Sequence, residues 1–506
     1  MKRILLLVAL FYLSFFYGIF DIALFNLDEG AFSEATREML KGGDYITTYL
    51  GGELRFDKPV LIYWLQLLFV KILGTGEGAF RLPSSFAASL WGISIYFFVK
   101  RYFDRERAFW SLILFASALQ ITIIAKAAIA DSLLNLFIAL SMFNIWDYFN
   151  SREKKYLYFA FLFIALGTLT KGPVAILIPF AVTFIYALFK RESVFWLKSV
   201  FDPIGLLIFL FVASPWYIAE YLAQKEAFIN GFFLKHNLQR FNSSFESHGG
   251  GFLYYLPVLL IGLLPFSALI LKGVLFIKKL KFKSDLKLFL FIWFLFVFVF
   301  FSLSGTKLPH YVIYGYTPLF IFGSLVKPKN HFLKMVLPMI VLFCVFLFLP
   351  DIANIFVDKI KDDYARDLVL NSHGSFDIFY KIKLFVVIVL LTALFWLKDV
   401  KKTLISLSFL TLVAVNAIII PSYASLVEEP IKEAGLFIKQ HDLKNVVSYK
   451  INTPSIMVYA KRIIKRGAPK NGDIVFTKKS KLKELHKNYE ILYQKNAIII
   501  VKTDEK

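Results

Sequence analysis

The sequence predicts an all-α polytopic membrane protein that carries a small C-terminal α/β domain. Three observations predict it. Of 506 residues, 58% are hydrophobic, more than the roughly 45–50% of soluble domains. The apolar residues come in runs of roughly 16–22, the length of a bilayer-crossing helix. Those runs are continuous, as from Leu288 to Leu303, which excludes the alternating strands of a membrane β-barrel. The formal charge of +22 comes from 58 Lys and Arg against 36 Asp and Glu. It lies in short segments between the runs, so it reads as topology and contact with anionic membrane lipids, and a nucleic-acid partner is not expected. One cysteine, Cys344, leaves no intramolecular disulfide.

Met1, Lys2 and Arg3 precede an apolar run with no small-residue cleavage site, which predicts an uncleaved first helix with its N-terminus inside. About 13 spans follow from the bilayer length: roughly 4–25, 82–99, 108–125, 132–149, 156–170, 173–189, 203–219, 252–271, 288–303, 311–326, 335–350, 380–397 and 403–420. Together they make a membrane domain over 1–420. The loops holding Lys100-Arg101, Arg152, Lys190-Arg191, Lys272 to Lys287 and Lys398 are short and basic, hence cytoplasmic. The segments 26–58, 125–131, 220–251, 304–310 and 351–377 are acidic or mixed and face the exterior or periplasm. Beyond Pro421, a helical pattern over 430–440 and strand patterns over 445–450, 473–477 and 497–501 predict an extracytoplasmic α/β domain, 421–506.

The first external loop is the densest in chemistry. Phe32, Ala35, Met39 and Leu40 recur at helical spacing, predicting an amphipathic helix over 31–41 lying on the membrane and stopped by Gly42-Gly43. Asp28 and Glu29 stand immediately before it; as plain helix-start acids they need no further role. A second surface helix, about 60–73, opens after Asp57-Lys58-Pro59, with Pro59 suited to a first turn and Asp57 to an N-cap. Its N-terminus with Lys58 and Arg55 suits a phosphate. Membrane anchoring by Tyr63, Trp64 and a snorkelling Lys58 is the alternative.

Asp28-Glu29-Gly30 with Phe32, Glu34 and Glu38-Met39-Leu40, then Gly43-Asp44-Tyr45, then Arg55-Phe56-Asp57-Lys58-Pro59 with Tyr63-Trp64, resembles the bacterial aminoarabinose lipid A transferases and their protein O-mannosyltransferase relatives. These are GT-C membrane glycosyltransferases that take a sugar from a polyprenyl phosphate. The resemblance continues through Arg81-Leu82-Pro83, Asp131, Thr170-Lys171-Gly172-Pro173, Lys235-His236 with Arg240-Phe241, and Lys307-Leu308-Pro309-His310-Tyr311.

The resemblance implies a GT-C fold, a polyprenyl-phosphate-linked sugar as donor, and a lipid or glycan acceptor at the outer face of the cytoplasmic membrane. It makes Asp28 the base for a hydroxyl acceptor, with Glu29 positioning it or binding the acceptor and Asp131 joining the catalytic group. Arg37, Lys58 and Lys171 become the donor-phosphate ligands. Arg55, Tyr63, Arg240, Lys307, His310 and Tyr311 line the substrate cavity. Asp57 and His236 could hold a divalent ion such as zinc, since imidazole and carboxylate both suit it. Relatives commonly carry Glu at the Asp57 position, and Glu and Tyr where this chain has Lys235 and Phe56, so the sugar is not transferred from that branch. No nucleotide cofactor is expected. Protein O-glycosylation with the same donor class stays open, as does a lipid or polysaccharide flippase, although flippases place ionisable groups nearer the bilayer midplane.

Overall fold

A computed structural model describes residues 2–239, 250–279, 284–326, 332–485 and 488–504. Every segment expected to cross the membrane is helical over most of its length, in the expected order. Among the described residues, seven helices are long and apolar enough to span a bilayer. The others are shorter or interrupted, as where the helix Tyr255–Gly262 gives way to Ser267–Lys279. This is an integral membrane protein. The first helix, α1 (Lys2–Phe11), widens by one turn over Tyr12–Phe16 and stops there, short of the expected residue 25.

Basic loops remote in sequence meet at one end of the bundle. Glu106 takes Arg3 at 2.8 Å and Lys401 at 2.6 Å, and Asp285 takes Lys190 at 2.9 Å. That gathering is the physical form of the charge asymmetry in the sequence.

At the other end lies α2 (Asp28–Gly42). The expected amphipathic helix is present, but both of its sides are covered by protein: Glu29 through Met39 are all buried. One side joins the bundle core through Phe32, Ala35 and Met39. The other meets the short helix Ser455–Ala460 of the terminal domain. A buried helix with this many charges is tolerable only if each is partnered. Glu34 binds Arg37 through two bonds of 2.6 and 2.7 Å, and Thr36 donates to Gln66 at 2.6 Å. Glu38 accepts from the amides of Gly51 and Gly52, the turn between β1 (Tyr49–Leu50) and β2 (Glu53–Leu54). Next come α3 (Leu61–Leu73), half-exposed as expected, and α4 (Glu77–Tyr102).

The terminal domain is a five-stranded mixed sheet in the order β4-β3-β5-β7-β6, with β3 (Val446–Ser448), β4 (Lys465–Arg466), β5 (Ile474–Lys478), β6 (Tyr489–Lys495) and β7 (Ile498–Thr503). β3 runs parallel to β4 and β5; β7 is antiparallel to β5 and β6. Ile431, Ala434 and Ile438 of the helix Glu429–Gln440 pack on Phe476, Ile498 and Ile500. The last membrane helix runs on to Val427, so the domain's own first helix begins at Glu429, later than Pro421.

α2 and this domain approach closely at Gly30. A Cβ there would lie 2.6 Å from the Ser455 backbone nitrogen. Gly30→Ala is expected to destabilise the fold by about 1–3 kcal/mol, as overpacking does, seen as a lower thermal midpoint in detergent; an unchanged midpoint would argue against this contact.

Candidate active site

Asp28 opens α2 with its side chain exposed. Leu27 before it sits at φ 67°, a strained conformation for a non-glycine residue that costs ~1–3 kcal/mol and persists only where neighbours enforce it. The terminal domain supplies much of that enforcement. Asn26 donates to Glu428 at 2.9 Å and accepts from Ser455 at 2.6 Å, and the Leu24 amide donates to the Tyr459 hydroxyl at 2.8 Å.

Glu29 supplies the rest. Its carboxylate takes Arg81 of α4 through two bonds of 2.8 and 2.6 Å and also accepts from the amides of Phe25 and Ala128. Arg81 spends its other donors on the carbonyls of Ile19, Ile22 and Ala23. Burial alone would raise the Glu29 carboxyl, but the Arg81 charge and these donors hold it below the usual carboxylate value. Of the roles expected of Glu29, positioning Asp28 is the one its contacts fill.

Two different environments meet at Asp28. On one side is a cavity of about 670 Å³. Its wall includes Ile19, Ile22, Phe346, Leu349, Leu368 and Ile420, and its polar end carries Asp28, Glu29, Arg81 and Lys126. On the other side is a charged cluster. Arg55 lies against the Phe32 ring, 5.2 Å from its centroid, and beside Tyr63, and it reaches Asp57 at 3.1 Å. Lys58 meets Asp57 at 2.8 Å, and His236 Nδ1 is 3.3 Å from the same carboxylate oxygen. Asp131 heads the helix Asp131–Ser151 and accepts from Lys171 at 2.7 Å and from the Tyr314 hydroxyl at 2.9 Å, with His310 Nε2 at 3.9 Å. The Lys171 ammonium stands over the rings of Tyr311 and Tyr314 at 5.6 and 5.5 Å. Burial lowers the His310 imidazole, with Lys171 and Lys58 acting in the same direction against Asp131 and Asp28. Asp28 also acts on Arg55, so one electrostatic field joins these groups.

Most of the residues singled out in the sequence therefore converge. Arg37 does not join them. It stands nine residues along α2 from Asp28, about 13.5 Å at 1.5 Å per residue, and its guanidinium is held by Glu34. Asp57 does not cap α3, which has no side-chain cap; its carboxylate is drawn to Arg55 and Lys58. Lys307 donates to the Ser304 carbonyl at 2.7 Å, capping the helix Asp285–Leu303. Arg240 lies outside the described residues. Arg81, Tyr314 and Lys126 gain roles here that sequence reasoning did not assign. For the expected metal, Asp57 and His236 do meet, but no group of three or more His, Cys, Asp or Glu side chains is gathered among the described residues. With two cations already on Asp57, this pair forms an incomplete site.

Residues 57–218 match the family described as dolichyl-phosphate-mannose-protein mannosyltransferase. ArnT from Cupriavidus metallidurans, solved bound to undecaprenyl phosphate, superposes with a TM-score of 0.82 over 99% of this chain and 97% of that one, at 17% identity. The fold is that of this ArnT. An Archaeoglobus fulgidus oligosaccharyltransferase aligns with this chain at a TM-score of 0.51 and 14% identity, over 92% of this chain and 64% of that one. An undecaprenyl phosphate-alpha-4-amino-4-deoxy-L-arabinose arabinosyl transferase of Aeromonas hydrophila is 29% identical over 270 residues, 52% of this chain and 49% of that protein. The match thus spans about half the length of that relative. An uncharacterised Aquifex aeolicus protein is also 29% identical, over 65% of this chain and 75% of its own length.

Glu29→Gln would leave buried Arg81 without a counter-charge. The expected loss is about 3–5 kcal/mol, read as a lower unfolding midpoint of the full chain in detergent, and a midpoint equal to wild type would remove Glu29 from this anchoring role.

Proposed function

We propose that this protein is an inverting glycosyltransferase that moves a sugar from a polyprenyl phosphate to a lipid A or other envelope glycan acceptor at the outer face of the cytoplasmic membrane. The observation that carries the reading is the placement of Asp28, an exposed carboxylate between an apolar cavity and a basic cluster. The similarity to ArnT and to the arabinosyl transferases supports the donor class.

The chemistry follows from that placement. The acceptor hydroxyl attacks the anomeric carbon and gives its proton to Asp28. The bond from that carbon to the phosphate oxygen breaks, and its electron pair leaves on the polyprenyl phosphate. Such a leaving group needs positive charge where negative charge develops, and no acid. Arg55 and Lys58 supply it. Three carboxylates (Asp28, Asp57, Asp131) stand against three cations (Arg55, Lys58, Lys171), so the cluster is neutral before donor arrives. Asp57 occupies the position of an anion between Arg55 and Lys58, and a phosphate oxygen would take its place. Lys171, committed to Asp131, orients that carboxylate. A divalent ion at Asp57 and His236 would draw further ligands from the substrate and add positive charge there. The match to the mannosyltransferase family favours a protein acceptor as the second reading, while the apolar cavity favours a lipid.

Asp28→Asn is expected to abolish transfer in reconstituted vesicles while leaving the unfolding midpoint unchanged; retained transfer would defeat the mechanism. Lys58→Ala should raise KM for the polyprenyl-phosphate donor at least tenfold, and unaltered donor kinetics would take Lys58 out of the site. Chelation with EDTA should slow transfer if the ion at Asp57 and His236 takes part, with zinc restoring it, whereas an unaffected rate removes the metal. A reporter fused after Lys506 should read exterior, since a cytoplasmic signal would reverse the topology.

A further inference from the structure

The cavity beside Asp28 carries a cation that sugar transfer as written leaves unused. Lys126 lies in the turn between the helices Leu119–Ile124 and Asp131–Ser151, is buried, and lines the cavity's polar end. Its ammonium donates to two neutral oxygens, the Tyr17 carbonyl at 3.2 Å and Asn416 Oδ1 at 2.6 Å. Among the described residues, no carboxylate stands within ion-pair distance of it. Arg81, the other cation at this end, is taken by Glu29 and three carbonyls.

The Lys126 site is built. Asn416 presents its carbonyl oxygen to Lys126 because its amide donates to Thr122 Oγ1 at 2.9 Å, and Thr122 in turn donates to the Ser14 carbonyl at 3.1 Å. Three segments, around residues 14–17, 122–126 and 416, thus cooperate to hold one ammonium at the head of an apolar cavity. An ammonium has three donors, and two are used. A buried charge satisfied only by neutral groups is costly until a counter-ion arrives. Burial pushes Lys126 down to about 7, with Arg81 adding to the fall and Glu29 opposing it, and an anion beside it would restore the charge.

We propose that Lys126 engages an anionic group, a phosphate or a carboxylate, that flanks the accepting hydroxyl of an amphiphilic acceptor, and thereby selects which acceptors are used. This rests on the cavity being the acceptor site, as in the transfer reading. The acceptor's apolar chain lies along the cavity wall. Its anionic group turns toward Lys126, and its hydroxyl toward Asp28.

The test separates binding from transfer. Full-length protein carrying Lys58→Ala, which removes a donor-side cation, is titrated in detergent with decyl phosphate and with uncharged decyl glucoside. At least a tenfold preference for decyl phosphate is expected, kept by added Lys126→Arg and lost with added Lys126→Met. Equal binding of both probes, or a preference that survives Lys126→Met, overturns the proposal. In an otherwise wild-type chain, Lys126→Met should raise KM for an anionic acceptor and leave KM for the donor unchanged; a rise confined to the donor also overturns it. Absence of transfer with the phosphate preference intact would refute the transfer reading and leave the anion site standing.

Discussion

The buried pair between Glu29 and Arg81 is the constraint on which the rest of the site depends. A carboxylate and a guanidinium withdrawn from water are costly unless every donor and acceptor is used. Here Glu29 takes two guanidinium bonds and two amides, while Arg81 gathers the carbonyls of Ile19, Ile22 and Ala23. The pair therefore fixes the chain after the first helix, the start of α2 and the start of α4 relative to one another. Asp28 inherits its position from that arrangement. Its neighbour is locked, while its own carboxylate remains exposed to substrate.

The same economy explains how a charged helix comes to lie inside the protein. Each buried charged residue of α2 has a partner, and the partners outside the helix belong to different layers: Arg81 and, for Thr36, Gln66 from the membrane side, the Gly51 and Gly52 amides from the hairpin above. Such a helix transmits position between layers with little freedom. Asp28 at one end and Glu38 near the other are two ends of one rigid body.

Legibility in the sequence followed the range of the interaction. The membrane helices were readable because hydrophobic length is a local property. Asp28, Arg55, Asp57 and Lys58 were readable as a group because they lie in one loop. The ion pair of Arg37 was legible too: Glu34, three residues earlier on the same helical face, is at a spacing that pairs opposite charges. The cap expected from Asp57 failed because two cations next to it offered stronger contacts than a backbone amide. The pairing of Glu29 with Arg81 and the bond from Lys126 to Asn416 join residues 52 and 290 positions apart. No local pattern encodes contacts of that range. The burial of α2 was hidden for the same reason, since what covers it is the helix Ser455–Ala460, more than four hundred residues away.

That last contact bears on when the protein can act. Asn26 is gripped by Glu428 and Ser455, and Leu24 by Tyr459. During synthesis the ribosome delivers the strained turn at Leu27 and Asp28 long before it delivers the residues that hold it. The geometry at Asp28 is therefore complete only once the terminal domain has docked on the membrane bundle.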